Sequence, residues 1–531
     1  MSLEEIKREC AQRRTFAIIS HPDAGKTTLT EKLLLYSGMI RTAGMVRGRK
    51  GGHLATSDWM EMEQERGISI TASAMQFRYK DVVINVLDTP GHQDFSEDTY
   101  RTLTAADSAI MVIDAAKGVE AQTRKLFQVC RTRRIPVLTL INKMDLPGRD
   151  PLALMSEVEE VLGIHAVPMN WPVGGGREFS GVVDRRTRDL LVYERGARAG
   201  AKRAAVDRLP IDDPRALELV GQELLDKVRG DIDLHDMAGT PFSLEAFRRS
   251  EITPMFFGSA LTNFGIEIFF DYFVELAPPP GARHAKTWAG ADVFVDPAES
   301  PFAGFVFKLQ ANMNPRHRDS MAFVRVCSGR FERGVVVKHH RLKKDVRLSR
   351  PHSLVAGERS TIDTAYPGDI VGIINPGTFA IGDTLSVQGG FDFDPLPQFQ
   401  PEIFARVRAV STGQRKGFDK GMTQLIEEGT VQLLRQPGDV SGRPIVAGVG
   451  RLQFEVLQFR LEHEYGCPTV IEPLPFESSA WLEGDPATFK KPTGAIVVFD
   501  RFDRPVVLFS SKWEKNYAVK ENPSHRFLDM A

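Results

Sequence analysis

Three short polar segments, each following an apolar run typical of a buried strand, constrain the fold of this 531-residue chain. They are residues 20–27 (SHPDAGKT), 88–92 (DTPGH) and 142–145 (NKMD). Strands that alternate with helices predict a mostly parallel, doubly wound sheet, and such sheets bind their ligands at the carboxyl ends of the strands. Because all three segments follow predicted strands, the sequence predicts an α/β domain with one composite ligand site at that edge.

The segment 20–27 has the composition of a phosphate-binding loop. A glycine-bearing loop that opens a helix points backbone N–H groups and the helix N-terminus at an anion. In that arrangement Gly25 allows close approach, Lys26 reaches the β- and γ-phosphates, and the Thr27 hydroxyl ligates Mg²⁺. A chance turn before a helix is the alternative, because the strict motif begins with glycine where this chain has Ser20. The predicted nucleotide contacts of this loop are Ser20, His21, Pro22, Asp23, Ala24, Gly25, Lys26, Thr27 and Thr28.

The segment 88–92 follows the apolar run 82–87 and supplies groups that can sense a terminal phosphate. Asp88 is predicted to hold Mg²⁺ through water, and the N–H of Gly91 to contact the γ-phosphate. His92 stands where a side chain can orient the attacking water, whereas a histidine outside this context would be interpreted as a solvated loop residue. His92 and Lys26 are therefore the candidate catalytic residues. The predicted nucleotide contacts of this segment are Asp88, Thr89, Pro90, Gly91 and His92.

The segment 142–145 predicts which base is bound. Asp145 can accept hydrogen bonds from guanine N1–H and the 2-amino group, and Lys143 can pack its stem over the ring. Adenine offers no such pair of donors, and a hydrogen bond to a charged group contributes about 1.5–3 kcal/mol. The tripeptide 259–261 follows the next apolar run and is predicted to close over guanine O6 through a backbone N–H. The predicted base contacts are Asn142, Lys143, Met144, Asp145, Ser259, Ala260 and Leu261. The predicted cofactors are GTP or GDP with Mg²⁺.

The pattern along the whole chain predicts a multidomain protein. Residues 1–280 form the predicted α/β P-loop GTPase domain, with an inserted subdomain at about 146–253. Residues 281–301 are a predicted linker. Short alternating strands punctuated by glycine predict a β-barrel domain at 302–390, and mixed strands and helices predict an α+β domain at 391–531.

Local patterns predict further elements within these domains. Residues 3–13 have the spacing of a short amphipathic helix. Inside the insert, residues 181–193 are strand-like and residues 217–228 predict an acidic helix. Residues 39–67 form a long polar stretch with several glycines, and a loop of this length inside a compact domain is usually functional or mobile.

Composition excludes several classes of protein. The chain has 68 Arg and Lys against 69 Asp and Glu, so no global charge signature points to a partner. Its four cysteines are far apart and form no C-x-x-C pair, which argues against a disulfide framework or a zinc site and favours a reducing compartment. No stretch is long and apolar enough to span a bilayer, and the N-terminus lacks a signal-peptide core. We therefore expect a cytoplasmic protein with no membrane partner.

Together with residues 58–71 (DWMEMEQERGISIT), the three segments resemble those of the translational GTPases. The resemblance implies that residues 58–71 belong to a loop that orders around the γ-phosphate, and that Ser69 ligates Mg²⁺ beside Thr27 and Asp88. Many relatives carry threonine where this chain has Ser69, and histidine is frequent in the family where it has Ala24. The hydrophobic gate that the family places beside the catalytic histidine would correspond to Pro22 and Ile68.

Within this family, residues 95–104 and 112–120 are similar to the branch that acts in termination. Residues 448–456 (GVGRLQFEV) are similar to a segment of elongation factor G, the translocase. Too few residues follow Pro473 for the two further domains with which the translocase reaches the decoding site. The resemblance thus implies a ribosome-stimulated GTPase that promotes dissociation of codon-specific release factors from the ribosome after peptide release.

A basic strip in the predicted barrel favours a ribosomal partner independently of the resemblance. Its members are Arg316, Arg318, Arg325, Arg330, Arg333, Lys338, Arg341, Lys343, Lys344, Arg347 and Arg350. Such a strip suits RNA phosphates, although a solvated face balanced by distant acids is the alternative. The resulting partner predictions are ribosomal RNA, the stalk proteins of the large subunit and codon-specific release factors.

Two further expectations and two alternative functions remain. A guanine alarmone could occupy the GTP site, and a monomer is expected in solution. An elongation-factor-G-like translocase or a ribosome-protection GTPase is one alternative function. A nucleotide-gated ribosome-binding protein with incidental hydrolysis is another. An ATP-dependent kinase is rejected because of residues 142–145.

Overall fold

The computed structural model describes residues 2–40, 72–194, 203–311, 320–355, 358–396, 398–438 and 443–529. Several sequence predictions lie outside these ranges, among them the roles of Ile68 and Ser69 and the whole of residues 58–71. Arg316 and Arg318 of the predicted basic strip also lie outside them. Within the described ranges, no helix has the length and apolar character needed to cross a membrane.

The first domain is built on a sheet that contains seven strands among the described residues. Their spatial order is Ser73–Tyr79, Val82–Asp88, Arg13–Ser20, Ser108–Asp114, Val137–Asn142, Ile252–Phe257 and His165–Pro168. The edge strand Ser73–Tyr79 pairs antiparallel, whereas the pairings among the other six are parallel. Parallel strands are covered on both faces, and Phe16–Ile19 are accordingly fully buried. The predicted doubly wound, mostly parallel sheet is confirmed.

Helices cover both faces of this sheet. They are Leu3–Ala11, Lys26–Tyr36, Ser96–Thr104, Ala121–Thr132, Pro151–Leu162 and Ile266–Leu276, with a 3₁₀ turn at Gln93–Phe95. Pro151–Leu162 shows how sequence sets such bounds, because Asp150 caps its first N–H groups and Gly163 ends it at φ 65°. The N-terminal helix is shorter than predicted, since Arg13 already pairs with Val83 in the sheet.

The insert forms an antiparallel sheet and three helices. Its strands, in spatial order, are Val206–Pro210, Asp189–Tyr193, Gly181–Asp184 and Asn170–Val173. Its helices are Pro214–Val220, Gln222–Ala238 and Leu244–Arg248, with a 3₁₀ turn at Gly176–Glu178.

Two predictions about the insert are wrong in detail. Residues 181–193 form a hairpin instead of one strand, with Arg188 at φ 59° in its turn. The helix predicted at 217–228 is two helices, because Gly221 adopts φ 88° and ψ 152° between them.

The central sheet extends into residues that the sequence assigned to the insert. Strand His165–Pro168 pairs in parallel with Ile252–Phe257, so it is the outermost strand of the nucleotide-binding sheet. The residues predicted as a linker also have structure, since Arg283–Thr287 and Asp292–Val295 pair as a hairpin that continues to Phe391–Phe393. The domain limits themselves stay predictions.

The second domain is a barrel-like antiparallel sheet around its own apolar core, which includes Val306, Val324 and Leu385. Its strands, in spatial order, are Lys344–Arg347, Val336–His339, Thr384–Ser386, Ala303–Ala311, Ser320–Ser328, Ile370–Ile374, Pro351–Val355 and Glu358–Thr361. A small pair, Phe331–Glu332 with Thr364–Ala365, lies beside it.

The third domain has the predicted α+β composition, divided between two sheets. The first comprises Gln432–Leu434, Ile445–Gly448, Ile403–Ala409 and Thr469–Pro473, with helices Arg415–Glu428 and Arg451–His463 and a 3₁₀ turn at Thr412–Gln414. The second comprises Ile496–Phe499, Pro505–Phe509, Ser478–Glu483 and Arg526–Leu528, with helix Lys512–Glu521.

One member of the predicted basic strip belongs to the contact between the first two domains. Arg325 is fully buried and donates to Asp107 at 2.5 Å and to the carbonyl of Gly368 at 2.7 Å. Its inclusion in an exposed strip was therefore wrong, since strand Ser320–Ser328 turns this side chain toward the first domain. Arg13 makes a second such contact, with Asp369 at 2.9 Å.

Candidate nucleotide-binding site

The loops that carry the three segments leave neighbouring strands at one edge of the central sheet. The register pairs Ile18 with Asp88, Ser20 with Val112, and Asp114 with Asn142. Each segment therefore starts within a strand or two of the next. The structure brings together the predicted residues of all three segments that it describes.

The loop between Ser20 and the helix Lys26–Tyr36 has an unusual backbone. Asp23 has φ 66° and Gly25 has φ 100°, in the left-handed region that favours glycine. A Cβ on Gly25 would lie 2.3 Å from Nδ2 of Asn142, so both conformation and space require glycine. The helix that follows has no side-chain cap. Its first N–H groups thus remain available to an anion.

Lys26 and Asp88 face each other at the centre of the site. Their Nζ and Oδ1 atoms are 3.4 Å apart, and the two side chains are 7% and 3% exposed. Neither the ammonium nor either carboxylate oxygen has a hydrogen-bond partner among the described residues. Buried charges are costly unless they are paired and hydrogen-bonded or bind a metal. These orphaned atoms fit a phosphate chain at Lys26 and Mg²⁺ at Asp88, with Thr27 and Thr28 half-buried in the adjoining helical turn.

Asn142 connects the phosphate loop to the loop at 259–261. Its Nδ2 donates to the carbonyl of Ala24 at 2.7 Å, and its Oδ1 accepts from the N–H of Ala260 at 2.8 Å. Ser259 is fully buried, whereas Leu261 is exposed. The two loops on either side of the predicted base position are therefore held by one amide.

Lys143 and Asp145 occupy the same loop. Lys143 has φ 68°, and its ammonium lies 2.8 Å from Asp114 Oδ2. The N–H of Met144 donates to the carbonyl of Gly258 at 3.2 Å, which fixes the loop against the next strand. Oδ1 of Asp145 is buried without a hydrogen-bond partner in the described structure. That unmet acceptor is what a carboxylate that binds guanine donors should show.

Asp114 is a site residue that the sequence reasoning missed. Burial raises the pKa of its carboxyl, but hydrogen bonds from Lys143 and from the N–H groups of Ala116 and Lys117 outweigh burial and hold that pKa below its ordinary value. The carboxylate thereby fixes the Lys143 stem. Its position at the carboxyl end of strand Ser108–Asp114, the same edge as the three segments, was the available signal.

The segment 88–92 packs closely against the phosphate loop. Thr89 Oγ1 donates to the carbonyl of Ile18 at 2.6 Å, and the carbonyl of Pro90 accepts from Thr99 at 3.1 Å. A Cβ on Gly91 would lie 3.5 Å from Cα of Pro22, so the two loops are in contact there. The segment is thus held at the phosphate end of the site.

His92 is more exposed than Lys26, the other candidate catalytic residue, with 34% of its side chain exposed. Its Nδ1 accepts a hydrogen bond from the N–H of Asp94 at 3.2 Å. A neutral imidazole whose Nδ1 accepts carries its proton on Nε2. In this tautomer the other ring nitrogen carries the proton, so Nε2–H is a donor.

His21 behaves differently from the rest of the phosphate loop. Its ring is buried, its nitrogens have no hydrogen-bond partner in the described ranges, and Glu120 lies 3.7 Å away. Burial lowers the pKa of His21, and the nearby carboxylate offsets only part of that effect. Burial thus disfavours the charged form of this ring.

Three candidate nucleotide-binding segments at one edge of a doubly wound sheet, followed by a barrel-like and an α+β domain, form the arrangement expected of a translational GTPase. Residues 11–279 match the family described as elongation factor Tu GTP binding domain. Residues 301–388 match elongation factor G domain 2, and residues 393–519 match the class II release factor RF3, C-terminal domain. The chain belongs to the peptide chain release factor 3 family.

Relatives of that name match nearly the whole chain. The peptide chain release factor 3 of Symbiobacterium thermophilum is 52% identical over 98% of this chain and 98% of that protein. Those of Synechococcus elongatus and Synechocystis sp. are 49% and 50% identical, over 99% and 96% of this chain and 94% and 93% of those proteins. A crystal structure of a Thermus thermophilus protein shares the fold, with a TM-score of 0.68 and 21% identity over 92% of this chain and 72% of that chain.

These matches confirm the resemblance to translational GTPases. The protein binds guanine nucleotide and is a GTPase that acts in the termination of translation.

Proposed function

We propose that this protein binds GTP with Mg²⁺, hydrolyses it when stimulated by the ribosome, and thereby promotes departure of codon-specific release factors after peptide release. Family membership supplies the setting. The observation that carries the chemistry is the Lys26–Asp88 pair, buried and 3.4 Å apart with no hydrogen-bond partner of its own in the described structure.

The residues at the phosphate end of the site have different roles. Lys26 and the uncapped N-terminus of its helix bind the β- and γ-phosphates and stabilise the charge that develops during transfer. Thr27, Asp88 and Ser69 would hold Mg²⁺, which supplies charge neutralisation when bound. The N–H of Gly91 contacts the γ-phosphate, and Nε2–H of His92 orients the attacking water.

Guanine is recognised at the other end of the site. Asp145 accepts from N1–H and the 2-amino group, and Lys143, fixed by Asp114, packs against the ring. Asn142 keeps the tripeptide 259–261 at a set distance from the phosphate loop through its two hydrogen bonds. A guanine alarmone shares the base and the proximal phosphates with GDP, so it competes for the same site.

The partners follow from the setting and from the charge of the second domain. A hairpin at one edge of the barrel-like sheet exposes Lys338, Lys343, Lys344 and Arg347, and Arg350 is exposed just beyond it. We assign this basic hairpin to ribosomal RNA phosphates. Stalk proteins of the large subunit and a codon-specific release factor are the protein partners, and the protein works as a monomer in the cytoplasm.

Two assays on the same ribosomes test the proposed function. The first follows departure of a labelled release factor from a post-release complex with GTP, and the second follows mRNA movement on a pre-translocation complex. The protein is expected to speed the first and leave the second unchanged. His92→Ala should keep GTP affinity within a few-fold and slow ribosome-stimulated hydrolysis by at least about 10², the loss expected for a group that positions the nucleophile.

Two outcomes would count against the proposal. Codon-length mRNA movement with no effect on the release factor would favour the translocase alternative. A different result would favour a nucleotide-gated binding protein. In that case His92→Ala would still release the factor at the normal rate, and neither wild type nor the variant would hydrolyse GTP.

A further inference from the structure

Asp94 lies two residues after His92, and its two carboxylate oxygens lie near different partners, the His92 ring and a helix of the third domain. Oδ1 is 3.3 Å from Nδ1 of His92. Oδ2 accepts a hydrogen bond of 2.8 Å from the N–H of Leu452, in the first turn of helix Arg451–His463 of the third domain. The side chain is buried, with the residue only 6% exposed. An acid of the first domain thus caps a helix of the third.

The helix is built to receive this carboxylate. Gly450 precedes it with φ −147°, an extended conformation that any residue adopts. Glycine is explained there by space alone, because a Cβ would lie 1.9 Å from Cγ of Asp94. The N–H groups of Val449 and Gly450 are taken by the Gln453 side chain. Asp94 therefore fills the position that a capping residue of the helix itself would otherwise occupy.

Apolar side chains surround the same contact. Phe95, next to Asp94, packs with Leu452 and Val456 in a small buried cluster that Phe459 joins. The cap and this cluster together join the 3₁₀ turn Gln93–Phe95 to the helix. A displacement of the helix would remove the hydrogen bond from Leu452 and expose the cluster at the same time.

We propose that Asp94 is a positioning residue that couples His92 to the third domain. Held by the helix through its carboxylate, Asp94 keeps the 3₁₀ turn in place, and its backbone N–H donates to Nδ1 of His92, which leaves the proton of a neutral ring on Nε2. Withdrawal of the helix frees the carboxylate and the turn, and His92 loses its orientation. The rate of GTP hydrolysis therefore depends on where the third domain lies. This coupling rests on the proposed role of His92.

The test is a double-mutant cycle between the two domains. Asp94→Ala removes the carboxylate, and Gly450→Ala displaces it from the other side. Each variant should lower single-turnover GTP hydrolysis at saturating ribosomes roughly 10-fold or more, since small misplacement of a catalytic group is costly. The affinity for GDP and the ribosome concentration for half-maximal rate should stay within about two-fold. The double variant should be no slower than Asp94→Ala, because Gly450→Ala then has nothing to displace.

Two further variants sharpen the comparison. Asp94→Asn keeps an oxygen that can accept from Leu452, so it should retain more activity than Asp94→Ala. It also carries the test, with Gly450→Ala, if Asp94→Ala does not fold. Glu462→Gln changes an exposed acid on the same helix and should behave as wild type.

The outcomes separate this inference from the proposed function. The coupling would be overturned by additive losses in the double variant, or by a normal hydrolysis rate in Gly450→Ala. The proposed function would still stand in either case, because the wild-type protein would still hydrolyse GTP and release the factor. Loss of GDP affinity in parallel with hydrolysis would show a general defect of the site and would also overturn it. Failure of the wild-type protein to hydrolyse GTP on ribosomes would instead refute the proposed function.

Discussion

At the scale of single residues, side-chain hydrogen bonds within the protein hold the candidate base-reading loop. Asn142 bonds Ala24 and Ala260, and Asp114 bonds Lys143, so the segments around the base position are fixed by two side chains. Asp145 is left with a buried oxygen that lacks a partner in the described residues. If Asp145 binds guanine as proposed, its acceptor chemistry can be changed without altering the hydrogen bonds of Asn142 and Asp114.

We expect Asp145→Asn to shift the preference from guanine to xanthine nucleotides. An amide donates where the carboxylate accepts, and the 2-oxo group of xanthine supplies the matching acceptor. Competition binding with GDP, XDP and ADP measures the change, with loss of a charged hydrogen bond to guanine expected to cost about 1.5–3 kcal/mol. Unchanged guanine preference in the variant would remove Asp145 from the base-reading role.

His21 should make stability depend on pH. Its pKa is lowered in the folded protein from an ordinary value of 6.5. Below that pH the unfolded chain binds a proton that the folded chain resists, so stability is complete above about pH 6.5 and falls as the pH falls. His21→Leu keeps an apolar filling without a titrating group. In denaturant unfolding between about pH 7.5 and 5.5, a window that spans the ordinary histidine pKa, the variant should lose less stability than wild type.

His165→Gln is the control for this measurement, since the His165 side chain is 67% exposed. Its free energy of unfolding should depend on pH as that of wild type does. Parallel curves for wild type and His21→Leu would show that other groups set the acid limit.

At the scale of elements, the sequence predicted what local patterns determine. The strands that carry the three segments were found because apolar runs end in glycine and polar residues at the sheet edge. The prediction of one helix at 217–228 was wrong because a glycine with positive φ divides it. The placement of Arg325 in the basic strip was wrong because its partner Asp107 is distant in sequence. Asp94 and Gly450 were missed for the same reason. Contacts between domains leave no periodic signal.

The basic hairpin provides a prediction at this scale. Arg341 is not a free charge, because it donates to Asp383 at 2.8 and 2.7 Å. Lys343, Lys344 and Arg347 are exposed and have no ion-pair partner within the described ranges. Replacing these three together by alanine should weaken ribosome binding and flatten its dependence on salt, since fewer counterions are released. GTP affinity should not change, because the hairpin belongs to another domain.

The control replaces Lys416 and Lys420, two exposed lysines of the third domain. Ribosome association measured across a salt series should then stay near wild type. Equal affinities for the hairpin variant and wild type at every salt concentration would favour a solvated face.

At the scale of the whole molecule, buried charges join the first two domains. Asp107 accepts from Arg325 of the barrel-like sheet at 2.5 Å and from Arg283 at 3.2 Å. Thr15 donates to the carbonyl of Gly368 at 2.7 Å, close to the Arg325 contact with the same carbonyl. The nucleotide domain and the barrel are therefore linked through the amino-terminal edge of the central sheet, opposite the GTP site.

Arg325→Met should loosen this junction more than any exposed substitution in the same domain. Removing one partner of a buried ion pair leaves a charge uncompensated and costs about 3–5 kcal/mol, and Arg283 should keep the loss near the lower figure. Urea unfolding followed with one probe in each domain measures it, and the two transitions should separate. Arg347→Met, at the exposed edge, should stay within about 0.5 kcal/mol of wild type.

Asp107→Asn in the Arg325→Met background should recover part of the lost stability, since it neutralises the unpaired carboxylate. Additive losses of stability in the double variant would show that the pair does not hold the domains together.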